Sequence, residues 1–253
     1  MAIYQLHYKH KLTRLMAKIA DSSQFYPETK IICQAHFKNP QMNGNYYILK
    51  PADGSCQEGV SIVKTNEDIQ KELDSHPEFQ TWLLQRFIKS YLVKLSDDVY
   101  GRKMVLRTYV HLTDKNNIYL YKDVIATAFC HEYKTDTDIY QNINLIKQYH
   151  EKHKLPVDNS KYYFNLETLL GNDVYVKVWN QFKNILEKIF KVSIKDNTKN
   201  RLFGIDWIID ADLNAWLLEF NHNPDVGAYN CVILTDTLKQ DRTTLDNFVK
   251  LVI

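Results

Sequence analysis

The run Phe203-Gly204-Ile205-Asp206-Trp207-Ile208-Ile209-Asp210, the turn-prone Ala211-Asp212-Leu213-Asn214 and the run Ala215-Trp216-Leu217-Leu218-Glu219-Phe220-Asn221 read together as a β-hairpin. Stretches rich in aliphatic and aromatic residues flank the turn formers on both sides. With the turn centred between Asp212 and Leu213, Asp206 sits opposite Glu219, and Asn221 shares that face two residues on. Opposed carboxylates in apolar strands repel unless a positive charge lies between them. Asp, Glu and Asn offer only oxygen ligands, which suits a hard divalent cation such as Mg²⁺ that also keeps waters and substrate phosphates. The same pattern fits an ordinary half-exposed hairpin with both acids in solvent, because a one-residue slip of register moves every side chain to the other face.

Composition sets the outer limits. The chain has 253 residues, 25% charged and 45% hydrophobic, with a net charge of +2. This length supports one large domain or two apposed lobes, and the composition leaves little room for extended disorder. The near-neutral charge makes no case for nucleic acid or a membrane surface as partner. Cys33, Cys56, Cys130 and Cys231 are widely spaced, with no CxxC pair, so a reducing compartment is expected. No leader segment and no apolar run of ~18 residues is present, and the reading is a soluble, cytoplasmic protein.

Working outward from the hairpin, Leu12 to Ala20 reads as a short helix and Lys30-Ile31-Ile32-Cys33 as a short strand. Tyr46 to Lys50 is a compact strand ending on a lysine. It runs into a loop holding Gly54 and Gly59, and Val60 to Val63 returns as a strand. A glycine-containing turn beside a lysine can fold over phosphates, although such turns are also common in plain hairpins. Asn66 to His76 is helix-compatible, Thr81 to Ile88 is a strand, and Arg102 to Val110 alternates Lys103, Val105 and Arg107 on one face. Two cations there suit a polyanion, and salt bridges to the acidic hairpin explain them equally well. Tyr119 to Ala128 is expected to be one strand, and Thr135 to Asn144, with Asn142, a loop. Asp173 to Val192 is the clearest amphipathic helix, and Leu238 to Ile253 is expected to be a closing helix. His131, His150 and His153 match no zinc spacing and are read as surface residues.

Taken as an ordered set, Phe25-Tyr26-Pro27-Glu28-Thr29, Tyr46 to Pro51 with its glycine loop, Gln85-Arg86-Phe87-Ile88, Arg102 to Arg107, and the Asp206 and Glu219 arms of the hairpin resemble the tubulin tyrosine ligase family of the ATP-grasp superfamily. The resemblance implies an α+β fold whose two lobes, built on mainly antiparallel sheets with flanking helices, enclose an ATP site. It divides the chain into a short N-terminal segment (1–45), a small lobe with the phosphate loop (46–84) and a large lobe with the metal-binding hairpin (85–253). It implies ATP and Mg²⁺ as cofactors. Lys50 and Lys103 would hold the phosphates, Gln85, Arg86, Phe87 and Ile88 would form the adenine hinge, and Leu218 would lie beneath the base. Asp206, Glu219 and Asn221 would be the metal ligands, and Arg107, Lys103 and Asn142 the catalytic groups.

The chemistry implied is an ATP-dependent carboxylate–amine ligase that joins an amino acid to a protein or peptide carboxylate, tubulin among them, through an acylphosphate. Two positions depart from the family pattern. Val105 stands where an aspartate is common, and Ala126 falls near an expected arginine. These departures keep open a second reading, an inactive ATP-binding pseudoligase or protein-interaction module, which ATP turnover dependent on Glu219 would separate from the first. A third reading, a nucleotidyltransferase, rests on the likeness of Lys50-Pro51-Ala52-Asp53-Gly54 to the KxDG motif of nucleic acid ligases, with one residue too many. It predicts a covalent adenylyl group on Lys50.

Overall fold

The computed structural model describes residues 5–54, 59–96, 98–113, 117–129, 132–133, 163–193, 201–222, 224 and 247–252. Two antiparallel sheets organise them. The smaller has the order β1-β4-β2-β3, from β1 (Thr29–Cys33), β2 (Tyr47–Pro51), β3 (Ser61–Val63) and β4 (Thr81–Arg86). The larger has the order β10-β9-β5-β6-β11, with β7 pairing both β5 and β8. Its strands are β5 (Met104–Leu112), β6 (Ile118–Tyr121), β7 (Ile125–Ala128), β8 (Tyr163–Asn165), β9 (Arg201–Ile209), β10 (Ala215–His222) and β11 (Phe248–Lys250).

Each sheet packs one face into its own apolar cluster. In the small sheet Tyr47, Leu49, Trp82 and Leu84 pack with Ile69 and Leu73 of helix α2 (Asn66–Ser75). Thr65 caps that helix: its hydroxyl accepts from Asp68 N–H, and the Asp68 carboxylate accepts in turn from Thr65 N–H, closing a capping box. The large sheet packs Leu106, Val110, Phe203, Ile205, Trp207, Leu217 and Phe220 into a wider core. Helix α1 (Lys9–Met16), the short helix α3 (Leu166–Leu170) and helix α4 (Asn172–Ser193) cover that core. Apolar residues recur along α4 at helical spacing, and Val178, Phe182, Ile185, Leu186, Ile189 and Phe190 are buried.

The mostly antiparallel α+β architecture is the one expected, and four details differ. The N-terminal segment is shared out: Leu6, Leu12, Phe25 and Tyr26 join the large core, while β1 pairs with β4 at the edge of the small sheet. The expected helix over Leu12 to Ala20 instead runs Lys9–Met16, and Asp21 beyond it adopts a left-handed φ of 60°. The single strand expected over Tyr119 to Ala128 is two, because β5 takes β6 against Val110–Leu112 and β7 against Met104–Arg107. The closing helix expected over Leu238 to Ile253 is contradicted where the chain is described. Phe248–Lys250 forms β11 on the free edge of β6, with the Phe248 ring 5.0 Å from Tyr121.

Candidate functional site

The hairpin β9–β10 pairs Asp206 with Glu219 and Gly204 with Asn221. Its tip does not continue that register. Ala215 opposes Ile209 and Leu217 opposes Trp207, which centres the turn on Asp212, and the ladder slips by one residue between Leu217 and Glu219. The extra residue is Leu218, a β-bulge. Its cause lies in the core: Leu217 and Phe220 are both buried against the same cluster yet lie an odd number of positions apart, which strict alternation forbids. The bulge lets both face inward and turns Glu219 and Asn221 outward. Leu217 N–H donates to Phe25 O at 2.7 Å. At the tip, the Asp210 carboxylate accepts from the N–H groups of Asp212 and Asn214, from the Asn214 side chain and from Trp216 Nε1. These donors hold its pKa below the ordinary value against the opposing effect of burial.

Across three strands the outward face carries a row of charge. Arg107 of β5 lies opposite Asp206 of β9, which lies opposite Glu219 of β10. The Arg107 guanidinium grips Asp206 through both oxygens, Nε to Oδ1 at 2.7 Å and Nη2 to Oδ2 at 2.8 Å. Asn221 Nδ2 also donates to Asp206 Oδ2, at 2.9 Å. Beyond Glu219 stands Lys9 of α1, its Nζ 3.8 Å from Glu219 Oε2 and 2.6 Å from the carbonyl of Gly54 at the start of the glycine loop. The positive charges flanking the acid pair are therefore side chains of the protein itself. Close approach makes glycine necessary at position 204: a Cβ there would lie 2.8 Å from Pro224 Cβ.

Facing this row is the polar face of the small sheet. Thr29 opposes Gln85 directly, and Lys50 is its diagonal neighbour through the Ile48–Gln85 pair. Lys50 is 8% exposed and Gln85 2%. Burial pulls the Lys50 pKa down from 10.5 to about 8, with Glu219 and Asp206 opposing the fall and Lys9 adding to it. The carboxylates of one sheet thus act on the lysine of the other where the two sheets approach, and Lys9 reaches both Glu219 and the carbonyl of Gly54 there.

At the end of β4 lies the strand exit Gln85 to Ile88. Arg86, Phe87, Ile88 and Lys89 line an open cavity of about 310 Å³ with Asp210, Ala211, Asp212 and Trp216. Its size is at the lower end of the range for small-molecule sites. The Arg86 guanidinium lies 5.4 Å from the Trp216 ring centre. Lys103, 7% exposed, sits immediately before β5 with its ammonium 4.5 Å from the Phe87 ring centre and 5.0 Å from that of Tyr133.

Asp206, Glu219 and Asn221 fit a hard cation by their donor chemistry. They share one face, they offer only oxygens, and Mg²⁺ is commonly held by one or two carboxylates with phosphates and waters completing its shell. Among the described residues no group of three or more His, Cys, Asp or Glu gathers as a metal cluster. The fit therefore requires the Asn221 oxygen and ligands from the substrate.

Of the expected site residues, Arg107, Asp206, Glu219 and Asn221 share one face of the large sheet, Lys50 and Gln85 share one face of the small sheet, Arg86, Phe87 and Ile88 line the cavity, Lys103 lies over the Phe87 ring, and Leu218 is the bulge residue beside Glu219. Asn142, His131, His150, His153 and Ser55 to Glu58 lie outside the described residues. Ala126 is fully buried opposite Leu106 on the core side of β7, whereas Val105 and Thr127 pair on the face of Arg107. Two contributors carry no clear signal in the sequence. Lys9 lies in Lys9-His10-Lys11, which reads as a solvated charge run, and Thr29 closes a conspicuous stretch without suggesting a role.

The family model described as Tubulin-tyrosine ligase family matches residues 2–240. The chain is 26% identical over 221 residues to probable alpha-tubulin polyglutamylase Ttll1 of Tetrahymena thermophila, covering 79% of this chain and 52% of that protein. It is 26% identical over 202 residues to tubulin glycylase 3C of the same organism, covering 72% of this chain and 18% of the relative. The chain spans about half the length of the first and less of the second. Among solved structures, the C-terminal domain of K. lactis Pby1, described as an ATP-grasp enzyme interacting with the mRNA decapping enzyme Dcp2, is similar with a TM-score of 0.65. Identity is 16%, with coverage of 100% of this chain and 80% of the other, and this likeness carries the fold, ATP-grasp.

Proposed function

The chain belongs to the tubulin-tyrosine ligase family, and from that premise we propose that it is an ATP-dependent ligase joining the amine of an amino acid to a carboxylate of a protein or peptide acceptor. The single observation that carries the reading is that Asp206 and Glu219, set beside Arg107 and Asn221 on one sheet, act on the buried Lys50 of the other. The triphosphate of ATP lies between these faces in this reading, with the adenine toward Arg86, Phe87 and Ile88 and against Leu218.

The acceptor carboxylate attacks the γ-phosphorus, the bond to ADP breaks, and an acylphosphate forms. The amino acid amine then attacks the acyl carbon, phosphate leaves, the amine gives up a proton, and an amide remains. Lys50 and Lys103 hold phosphate oxygens, and Arg107 answers the charge on the transferring group by giving up part of its hold on Asp206. Asp206, Glu219 and Asn221 would hold Mg²⁺, which would supply positive charge to offset that of the phosphates. Asn142 is proposed as a further active-site group on the resemblance alone. Tubulin is the proposed acceptor because the named relatives are tubulin-modifying enzymes, and the proposed location is the cytoplasm. Among the described residues no helix is long and apolar enough to cross a membrane.

One observation favours a second reading, an ATP-binding pseudoligase. Val105 places an apolar side chain on the face of Arg107, and Arg107 already occupies both oxygens of Asp206. Isothermal titration with a non-hydrolysable ATP analogue and Mg²⁺ tests both readings. Wild-type binding that weakens about tenfold or more in Glu219→Gln supports the nucleotide site. ATP turnover lost in the same variant supports the ligase over the pseudoligase. A folded wild type that binds no analogue ends both.

A further inference from the structure

The stretch Phe25-Tyr26-Pro27-Glu28-Thr29 stands out in the sequence, and the proposed chemistry gives it no part. In the structure it spans the junction of the two sheets. At one end Phe25 O accepts from Leu217 N–H beside the bulge of the large sheet. At the other, Thr29 opens β1 directly opposite Gln85.

A chain of hydrogen bonds leads from this end to Lys50. Lys50 Nζ donates to Gln85 Oε1 at 2.9 Å, Gln85 Nε2 donates to Thr29 Oγ1 at 3.0 Å, and the Thr29 hydroxyl donates to the carbonyl of Pro27 at 2.7 Å. The direction is forced by chemistry. An ammonium can only donate, so Gln85 must turn its carbonyl to Lys50, which leaves its NH₂ for Thr29. Thr29 spends its one proton on a backbone acceptor and is left with a lone pair for the amide. All donations run the same way, an arrangement in which each bond polarises the next.

We propose that Thr29 is a positioning residue for the phosphate-binding lysine: through the Gln85 side chain it fixes where the Lys50 ammonium points and helps keep it charged. The Gln85 side chain then serves Lys50, and the hinge at Gln85 meets a ligand through its backbone. A buried ammonium is costly, and a carbonyl that hydrogen-bonds the charged form offsets part of that cost. The other charged groups acting on Lys50 are Glu219 and Asp206, which favour its charged form, and Lys9, which opposes it. Altering Thr29 removes none of these groups, and the other titratable side chain that it meets is the Tyr26 hydroxyl. That Lys50 meets phosphate rests on the function proposed above, whereas the relay itself does not.

Thr29→Val keeps the shape of the side chain and β-propensity while removing the hydroxyl, and Thr29→Ser keeps the hydroxyl. Competitive acetylation of the ligand-free protein, with Lys50 followed by mass spectrometry across pH, reads the ammonium without nucleotide. The expected result is that the pH of half-reaction falls by about half a unit or more in Thr29→Val and returns in Thr29→Ser. A profile for Thr29→Val that superposes on wild type overturns the relay. Should Thr29→Val fail to fold, Gln85→Met removes the acceptor directly and must lower the same midpoint, and an unchanged midpoint there overturns the relay as well. Titration of the ATP analogue separates the two proposals. A shifted labelling profile in a protein that never binds the analogue upholds the relay and ends the nucleotide reading, whereas binding with an unmoved profile does the reverse.

Discussion

The two sheets approach each other at the candidate site and solve opposite electrostatic problems. The large sheet brings two carboxylates together and answers them with its own cations, Arg107 on Asp206 and Lys9 of α1 near Glu219. The small sheet buries Lys50 and gives it a neutral partner, the amide of Gln85. One face is self-compensated and the other holds a cation whose charge opposes its burial. The difference implies that the large-sheet row contributes to stability in the absence of ligand, whereas Lys50 costs stability and, under the proposed function, is kept for the phosphate it would bind. Stability sacrificed at one residue is a common mark of a functional position.

Three substitutions sharpen or break this contrast. The largest effect is expected for Arg107→Met, which leaves Asp206, 7% exposed, without its bidentate partner. Loss of one member of a buried pair typically costs about 3–5 kcal/mol, to be read as a lower urea midpoint at pH 7. A loss below about 1 kcal/mol would mean that the row is not a structural unit.

Lys50→Met should act in the opposite direction. The folded pKa of about 8 lies below the unfolded 10.5, so between these values the unfolded chain binds more protons and wild-type stability rises with pH. At pH 7 the charged lysine is a burden, and Met is expected to stabilise by about 1–3 kcal/mol. The gap to wild type closes as pH rises from about 8 toward 10.5, while a gap constant over that window would point to packing instead.

The smallest effect is expected at Thr65→Ala, which opens the capping box of α2 and removes about 1 kcal/mol by thermal melting. The hydrogen bonds from Lys64 and Thr65 hold the Asp68 pKa below its ordinary value. The contribution of Asp68 is therefore present above its unfolded pKa and fades as pH falls through the lower, folded one. The Thr65→Ala difference should shrink on acidification. Equal loss of both sheets in this variant would show that they unfold together, and early loss of the small sheet would show that α2 is a local prop.

Much of this is legible in the sequence because it rests on short-range pattern. The strands around Lys50, Gln85, Arg107 and Asp206 follow from apolar runs with turn formers between them, and the Asp206–Glu219 pairing from the position of the turn. The molecule reaches that pairing by a longer route than a regular hairpin implies. The pairing at the hairpin tip is one residue out of that register, and the bulge at Leu218 restores it at the site. No Gly or Pro marks it, and the available signal is that Leu217 and Phe220 are both large and apolar at odd spacing. Lys9, Thr29 and β11 escape a sequence reading because their roles depend on partners far along the chain: Glu219, Gln85 and Tyr121. A local window sees a charged helix end, a strand start and an amphipathic tail.

The bulge also lets chain length vary beside the site. Substitutions at Leu218 leave the count of residues between the core anchors Leu217 and Phe220 intact, so a scan that only swaps side chains would pass over the position. Excising Leu218 would leave a regular ladder in which Leu217 and Phe220 still face the core and Glu219 still opposes Asp206, so the extra residue is one the site can lose. A change of one residue in length here leaves the carboxylates in place, a tolerance that point changes do not reveal.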